Sequence, residues 1–326
     1  MTQSPSTNLS RRDFGAVSTF TLGSLAISAL APWRTAFGAA GGAPVMTKPH
    51  VTPRAKRVIF LFMHGGPSHV DTFDYKPLLA RDNGKPLPFA LPPNIDAVPK
   101  LLDGPWEFKQ RGESGLWVSS LLPRMAEQAD SLCVIRSMHT KGQSHGQAVG
   151  MINTGSDNLV RPSVGAWVSY ALGSDHPDLP AHVAIGPATA HGGPRNYGAA
   201  FLPAMHQGTF ITDRAPRLES EFDPEKLIPN IRAKNMSLAD QRRELDLVER
   251  LNQLHLERVA HRDSELDGAI HAMETAFRMQ TEAPEVFDIR KESAATQKLY
   301  GPGSTARGCL MAVRLVKKGV RMVQVY

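Results

Sequence analysis

Residues 58–67 read VIFLFMHGGP. An apolar run, mostly β-branched or aromatic, is followed by His64 and a Gly-Gly-Pro turn. Such a run, stopped by turn-forming residues, is typical of a strand that is buried on both faces of a parallel sheet. The same pattern returns more weakly at residues 132–135, 182–185 and 320–325. These segments are therefore predicted to form a mostly parallel sheet.

Helical patterns alternate with the predicted strands. Apolar residues recur at helical spacing over residues 164–172, and Gly173 stands at the position of a left-handed C-cap. Ser237 and Asp240 resemble a capping box at the start of another helix. Alternating strands and helices predict an α/β fold in which helices lie on both sides of the sheet. Residues 82–118, rich in Pro and Gly, are predicted to be a surface insertion.

Composition narrows the possible classes of protein. The 326 residues are 41% apolar and 21% charged, which is a globular mixture and excludes wholesale disorder. The net charge of +6 is spread along the chain without a long basic run, so no nucleic-acid partner is expected. Two cysteines, Cys133 and Cys309, exclude a disulfide scaffold and a structural zinc site. Cys133, in an apolar segment, is expected to be buried.

The N-terminus has the features of a transported protein. Residues 10–14 read SRRDF, residues 15–32 are uncharged and moderately apolar, and small residues gather at residues 36–40. This order predicts a twin-arginine signal peptide. The alternative is a retained membrane anchor, although the apolar run is barely as long as the roughly 18 residues that a spanning helix needs.

Three regions follow from this interpretation. Residues 1–40 are the predicted signal peptide, residues 41–55 a linker, and residues 56–326 one α/β domain. The twin-arginine export machinery is the expected partner, and it carries folded proteins. The mature chain is expected to be periplasmic or extracellular, with no stable membrane span after the signal is removed.

A first candidate site follows the strand predicted at residues 58–63. His64, His69, Asp71 and Asp74 lie within eleven residues. Ligands bind open α/β sheets at the carboxyl ends of strands, and imidazole together with carboxylate suits zinc, manganese or iron. Alternatively, the segment is a Gly-rich turn whose aspartates bond to the backbone. The spacing of these four residues is compatible with both interpretations.

A second candidate site is the segment HTKGQSHGQ at residues 139–147. Ser144 is predicted near the N-terminus of a helix, where backbone N–H groups and the dipole favour sulfate or phosphate. Ser144 beside His145 can serve as nucleophile and base. The alternative, preferred on spacing alone, is an N-cap serine next to a partly buried histidine. Histidines in Gly/Pro-rich loops, including His191 and His206, carry a weaker signal.

Several stretches, in the same order along the chain, resemble the bacterial DUF1501 proteins. They are the export signal and residues 58–74, 161–170, 276–280, 300–301, 307–310 and 319–325. The resemblance spans nearly the whole mature chain. That family is grouped with the alkaline phosphatase and sulfatase superfamily. The resemblance therefore implies an alkaline-phosphatase-like three-layer sandwich with a mostly parallel central sheet.

The resemblance also implies a chemistry. A divalent metal ion at the strand ends, with zinc, calcium or manganese as candidates, would support hydrolysis of sulfate or phosphate esters. The substrate would be a small anionic ester or a sulfated glycan. Combined with the two candidate sites, this chemistry assigns His64, Asp71 and Asp74 as the expected metal ligands. Ser144 and His145 are the expected catalytic residues, in contact with the anionic group of the ester.

Two positions depart from the superfamily pattern. Aligning Thr154-Gly155 with the Thr-Gly pair that ends the nucleophile helix of sulfatases places His145 at the nucleophile position, with Ser144 just before it. Sulfatases have a cysteine there, which is converted to formylglycine, and phosphatases have Ser or Thr. The first strand usually delivers a metal-binding aspartate, where this chain has His64.

Family members continue beyond the strand at residues 320–325 into further motifs that resemble the second half of a metal site. Because this sequence stops at Tyr326, the resemblance implies an N-terminal fragment, with a domain that is incomplete at the C-terminus. The full-length protein is then expected to be the hydrolase, and the fragment to be inactive. The alternative, motivated by the two departures, is a non-catalytic module of the cell envelope that binds a glycan or a protein partner.

Overall fold

The computed structural model describes residue 52 and residues 54–90, 99–140, 144–187, 191–212, 223, 227–228, 235–259 and 264–326. The predicted signal peptide and most of the predicted linker lie outside the described residues. The chain divides into two compact units. The described parts of Met1–Phe62 and Ser144–Tyr326 form the first unit, and those of Met63–Gln143 form the second.

The described residues contain six strands and nine α-helices. The strands are β1 Val58–Leu61, β2 Phe108–Arg111, β3 Leu116–Ser119, β4 His182–Ile185, β5 Thr209–Ile211 and β6 Met322–Val325. The helices are α1 His69–Thr72, α2 Pro77–Asp82, α3 Pro123–Ala126, α4 His145–Thr154, α5 Val164–Leu172, α6 Leu238–Val259, α7 Ser264–Phe287, α8 Ala294–Tyr300 and α9 Ser304–Lys317.

Four strands of the first unit form a parallel sheet in the order β1-β6-β4-β5. The central strands β4 and β6 are buried along their whole length, as continuous apolar runs in a parallel sheet predict. The register pairs Leu61 with Val325, Val325 with Ile185, and Ile185 with Ile211. All four strands therefore end at one common edge.

Helices cover both faces of this sheet. Successive strand residues point to opposite sides, so each strand contributes side chains to both layers of helices. Val323 and Val325 of β6 lie in a hydrophobic core with Leu310 and Leu315 of α9 and Phe287 at the end of α7. The alternate residues of β4 and β6 face α4 and α5 instead. On that side the side chain of Gln324 reaches α4, and the ring of His182 lies against α5.

The second unit is smaller and is built around an antiparallel hairpin. Strands β2 and β3 pair over four residues each. The ring of Tyr75 packs against Trp117 and Phe108, with centroid separations of 4.5 and 5.1 Å. The carboxylate of Asp130 accepts backbone N–H groups of the hairpin turn and so fixes its conformation. Residues 82–118, predicted as a surface insertion, thus contribute this hairpin.

The predicted mixed α/β fold with a parallel sheet is confirmed, and so are the strands at β1, β4 and β6. The prediction that β1 is buried on both faces is wrong, because β1 lies at the edge of the described sheet and Val58 and Leu61 are exposed. Helix α5 matches its predicted bounds, and its C-cap Gly173 has a φ of 65°. The capping interaction at Ser237 is present, since its hydroxyl accepts the backbone N–H of Asp240 at 3.1 Å.

The strand predicted at residues 132–135 is wrong. This segment follows a 3₁₀ turn at Ala129–Ser131 and pairs with no strand among the described residues. Cys133 is exposed rather than buried, and Ile135 is 65% exposed. An apolar run forms a stable strand only beside a partner strand, because its backbone N–H and C=O groups otherwise remain unpaired.

Within the described residues, no helix has the length and apolar character needed to cross a membrane.

Candidate functional site

Helix α4 begins at the second predicted site. Ser144 is its N-cap, and the Ser144 Oγ accepts the backbone N–H of Gln147 at a long distance of 3.5 Å. The helix ends at Gly155, which takes the left-handed conformation with a φ of 69° that favours glycine. Ser144 and His145 are both exposed. The N-cap role is therefore observed, and both side chains are accessible to a ligand.

A second histidine lies beside His145. The ring centroids of His145 and His191 are 5.8 Å apart, with the rings tilted by 60°. His191 follows β4 along the chain, so the segment beyond the carboxyl end of a central strand meets the start of α4. The backbone carbonyl of His191 accepts a hydrogen bond of 2.9 Å from the Nδ2 of Asn196, which is fully buried. This bond fixes the backbone that carries His191.

A chain of buried polar side chains holds α4 on the sheet. The Oδ1 of Asn153 in α4 accepts hydrogen bonds from Gln324 Nε2 at 2.8 Å and from Tyr326 Oη at 2.9 Å. The Nδ2 of Asn153 donates to the carbonyl of Val149 at 2.9 Å. Burial raises the pKa of Tyr326, so this phenol keeps its proton for the bond to Asn153. The position of α4 is thus set by specific bonds as well as by packing.

The polar chain ends at His182, which is 1% exposed. Its Nε2 lies 2.9 Å from Gln324 Oε1, and its Nδ1 has no hydrogen-bond partner in the described structure. Burial lowers the pKa of His182 to about 4, although the bond to Gln324 opposes this shift. The backbone at Gly165 and Gly208 packs against the His182 ring, and a Cβ at either position would collide with the ring. His182 is therefore a neutral core residue.

The first predicted site lies in the second unit, where the structure brings His69 and Asp74 together. Their Nε2 and Oδ2 atoms are 3.9 Å apart, and Lys76 Nζ lies 2.8 Å from the same carboxylate oxygen. The hydrogen bond from Lys76 lowers the pKa of Asp74, with a smaller contribution from the charge of His69. Both Asp74 and His69 line a cleft of about 480 Å³ within this unit.

The other two predicted ligands of that unit, Asp71 and His64, are placed differently. Asp71 belongs to the short helix α1 and is half-buried, with its carboxylate against Gly104. His64 is exposed in the turn after β1. Across the described part of the chain, no three His, Cys, Asp or Glu side chains are grouped in a way that could hold a metal ion. The ligand set of His64, Asp71 and Asp74 stays a prediction.

The pair of His145 and His191 fits part of a metal site. Two imidazoles that share one zinc ion, with Zn–N distances of about 2.1 Å, hold their ring centroids roughly 5 to 6 Å apart. The observed separation of 5.8 Å falls in this range. The distance between the two rings is therefore one that two imidazole ligands of a tetrahedral ion can have.

Two histidines that the sequence does not single out have specific surroundings in the fold. His191 lies in a Gly/Pro-rich stretch, and the usable signal is its place shortly after the strand predicted at residues 182–185. The Nδ1 of His206 lies 3.1 Å from Ser169 Oγ, and burial lowers the pKa of His206 to about 4, with a smaller contribution from the charge of His271. Nothing in the local sequence around His206 indicates this burial.

Comparison with known proteins adds one result. Neither the curated proteins nor the solved structures contain a match to this chain. A family model described as a protein of unknown function, DUF1501, matches residues 55–326. This match includes the sheet, the two histidines beside α4 and the whole second unit. The chain therefore belongs to the DUF1501 family, as the motifs in the sequence indicate.

Proposed function

We propose that this DUF1501 protein is an exported, metal-dependent hydrolase of sulfate or phosphate esters, built on an alkaline-phosphatase-like three-layer fold. The observation that carries the proposal is the pairing of His145 and His191 beside the N-terminus of α4. Open α/β folds bind ligands beyond the carboxyl ends of their parallel strands, and His191 lies on the segment that follows β4.

The N-terminus of α4 supports binding of the anionic group of the ester. Backbone N–H groups of the first helical turn and the helix dipole favour a sulfate or phosphate at this end. The hydroxyl of Ser144 accepts a long hydrogen bond from Gln147, and its own proton can turn toward an ester oxygen. In this proposal Ser144 and His145 contact the anionic group.

The two imidazoles support a metal ion at the same place. His145 and His191 would each offer one ring nitrogen, and such donors favour zinc over calcium, which prefers oxygen ligands. A divalent ion held there would offset the negative charge of the equatorial oxygens while the alcohol is displaced from sulfur or phosphorus. His64, Asp71 and Asp74 remain the ligands predicted from the sequence.

The first experiment is metal analysis of the full-length protein, purified from its export compartment. The proposal expects a stoichiometric amount of a divalent ion, and a clearly smaller amount would contradict it. The second experiment measures turnover of a panel of aryl sulfates and aryl phosphates. Ser144→Ala and His145→Ala are expected to lose most of the turnover, whereas His255→Ala, at an exposed position on α6, is the matched control and is expected to keep it.

Unchanged turnover in both Ser144→Ala and His145→Ala would remove this segment from the mechanism. A metal-free protein that turns over none of these esters would favour the alternative from the sequence, a cell-envelope module that binds a glycan or a protein partner. Binding of sulfated and unsulfated glycans to the same preparation would then separate the two kinds of partner.

A further inference from the structure

A cleft of about 340 Å³ lies in the first unit, between the start of α9, helix α8 and the 3₁₀ turn at Ile289–Lys291. Its volume is typical of a pocket for a small molecule. The charged residues in its lining are Arg290, Lys298 and Arg307. None of the described residues that line it is acidic. The charged side chains in its described lining are therefore all basic, and Asp288 and Asp223 act on one of them, Arg290.

Two of these three cations are not neutralised within the described structure. Arg290 forms an ion pair with Asp288, with 2.6 Å between Nε and Oδ1. The side chains of Lys298 and Arg307, by contrast, have neither an ion pair nor a hydrogen bond to any described residue. Within the described part of the chain, both charges therefore remain available to a ligand.

Arg307 is the more informative of the two, because it is half-buried. Withdrawing a charged group from water costs free energy unless a partner replaces the lost hydration. A guanidinium also presents its N–H groups as a planar fork that matches two oxygens of a phosphate or sulfate. A bound oxyanion would thus complete a contact that the described residues leave open at Arg307.

The rest of the lining fits an apolar or aromatic body. Tyr300, Leu310 and Ile289 border the cleft, and Leu310 and Ile289 are buried parts of the hydrophobic core. The side-chain amide of Gln297 is engaged, because its Nε2 donates to the carbonyl of Glu292 at 2.8 Å. The polar recognition in this cleft therefore falls mainly to Lys298 and Arg307.

We propose that this cleft is a binding site for a small molecule that carries a phosphate or sulfate group on an apolar or aromatic body. Arg307 and Lys298 hold the oxyanion, and Tyr300 contacts the body of the ligand. The described lining of the cleft includes neither His145 nor His191, and the proposal does not depend on the proposed hydrolase activity.

The test is calorimetric titration of the full chain with phenylphosphonate, whose P–C bond an esterase leaves intact. Benzylamine is the cationic counterpart of similar size. Phenylphosphonate is expected to bind, more weakly as ionic strength rises, and benzylamine is not. Arg307→Ala and Lys298→Ala are each expected to weaken binding at least tenfold, and Arg307→Lys less than Arg307→Ala.

Two controls separate this site from other effects. Lys317→Ala removes the same charge as Lys298→Ala from the exposed far end of α9 and is expected to leave the affinity unchanged. Ser144→Ala is also expected to bind like the wild type, so a failure of the hydrolase proposal leaves this result intact. The unfolding midpoint of each variant shows that it is folded.

The proposal is overturned if phenylphosphonate does not bind. It is also overturned if Arg307→Ala and Lys298→Ala, folded like the wild type, bind it equally well, or if only Ser144→Ala loses binding. If Arg307→Ala does not fold, Arg307→Lys and Lys298→Ala decide the question by the same criterion.

Discussion

Asn153 and Gln324 are joined by a hydrogen bond of 2.8 Å between two buried side chains, although they lie 171 positions apart in the sequence. The bond fastens helix α4, which carries Ser144 and His145, to the central strand β6. Because Asn153 Oδ1 also accepts from Tyr326, one amide oxygen serves two donors. The geometry of the candidate site thus depends on a contact well outside it.

Replacing Asn153 tests this dependence. Asn153→Ala leaves two buried donors, on Gln324 and Tyr326, without their acceptor, and we expect the free energy of unfolding to fall by about 3 kcal/mol. Urea denaturation measures the change. Asn235→Ala, at an exposed position, is the control and should be nearly neutral. Equal stability of the two variants would show that the bond does not hold α4 in place.

Two helical glycines should respond in opposite ways to the same substitution. Gly165→Ala drives a methyl group into the buried ring of His182, and the overpacking is expected to cost about 2 kcal/mol. At Gly146 in α4 no described atom lies within 4 Å of the added Cβ, so Gly146→Ala should stabilise by up to about 1 kcal/mol. Thermal unfolding shows whether each variant is more or less stable than the wild type. Destabilisation of both variants would contradict the open space at Gly146.

Acid is expected to destabilise the fold through His182. Its pKa is about 4 in the folded protein, below the usual value of 6.5, so the unfolded chain binds more protons between these two values. The contribution of the neutral His182 ring to the free energy of unfolding is fully present above pH 6.5, falls as the pH drops, and is lost below about pH 4. The loss amounts to about 3 kcal/mol. Burial of His206 acts in the same direction.

Denaturation at pH values from 7 to 4 measures this dependence. His182→Gln removes the titrating ring and should flatten the profile, while His255→Gln, at an exposed position, should leave it as in the wild type. A His182→Gln variant with the wild-type slope would assign the pH dependence to other groups.

His191 is expected to act together with His145. If both rings bind one metal ion, His191→Ala should lower the metal content and the turnover of aryl esters together, by at least about tenfold. Inductively coupled plasma analysis and initial rates, measured on the same preparation, test this expectation. Loss of turnover with full metal content would indicate that His191 contacts the substrate instead.

Export by the twin-arginine route can be tested without disturbing the folded domain. Arg11→Lys combined with Arg12→Lys keeps the positive charge but removes the paired arginines that the export receptor reads. The variant should accumulate inside the cell, which fractionation and immunoblotting would show. Arg34→Lys is the control and should be exported normally. Normal export of the double variant would contradict the twin-arginine interpretation.

The sequence predicts those parts of the fold whose local pattern is strong. Strands β1, β4 and β6 lie in largely apolar segments, although only β4 and β6 are buried, and helix α5 has apolar spacing with a glycine cap. The apolar run at residues 132–135 has the same local pattern but finds no partner strand. A short apolar run does not specify which strand it will pair with. The strand prediction at residues 132–135 is wrong for this reason.

The candidate site shows the same limit. The start of α4 at Ser144 follows from cap chemistry, which acts over a few residues. The approach of His191 to His145 depends on the path of the chain through β4 and on the buried bond of Asn196 to the backbone of His191. Such tertiary positions have no local signature, so His191 could be recognised only from the structure.

The order of strands in the sheet has a consequence for how the protein is made. β6 lies between β1 and β4, yet it is the last of these strands to leave the ribosome. Until then the two flanking strands have no neighbour to pair with on that side. Assembly must wait for a late, long-range closure, which is a slow kind of folding step. Nascent chains should therefore need protection from self-association until synthesis has passed β6.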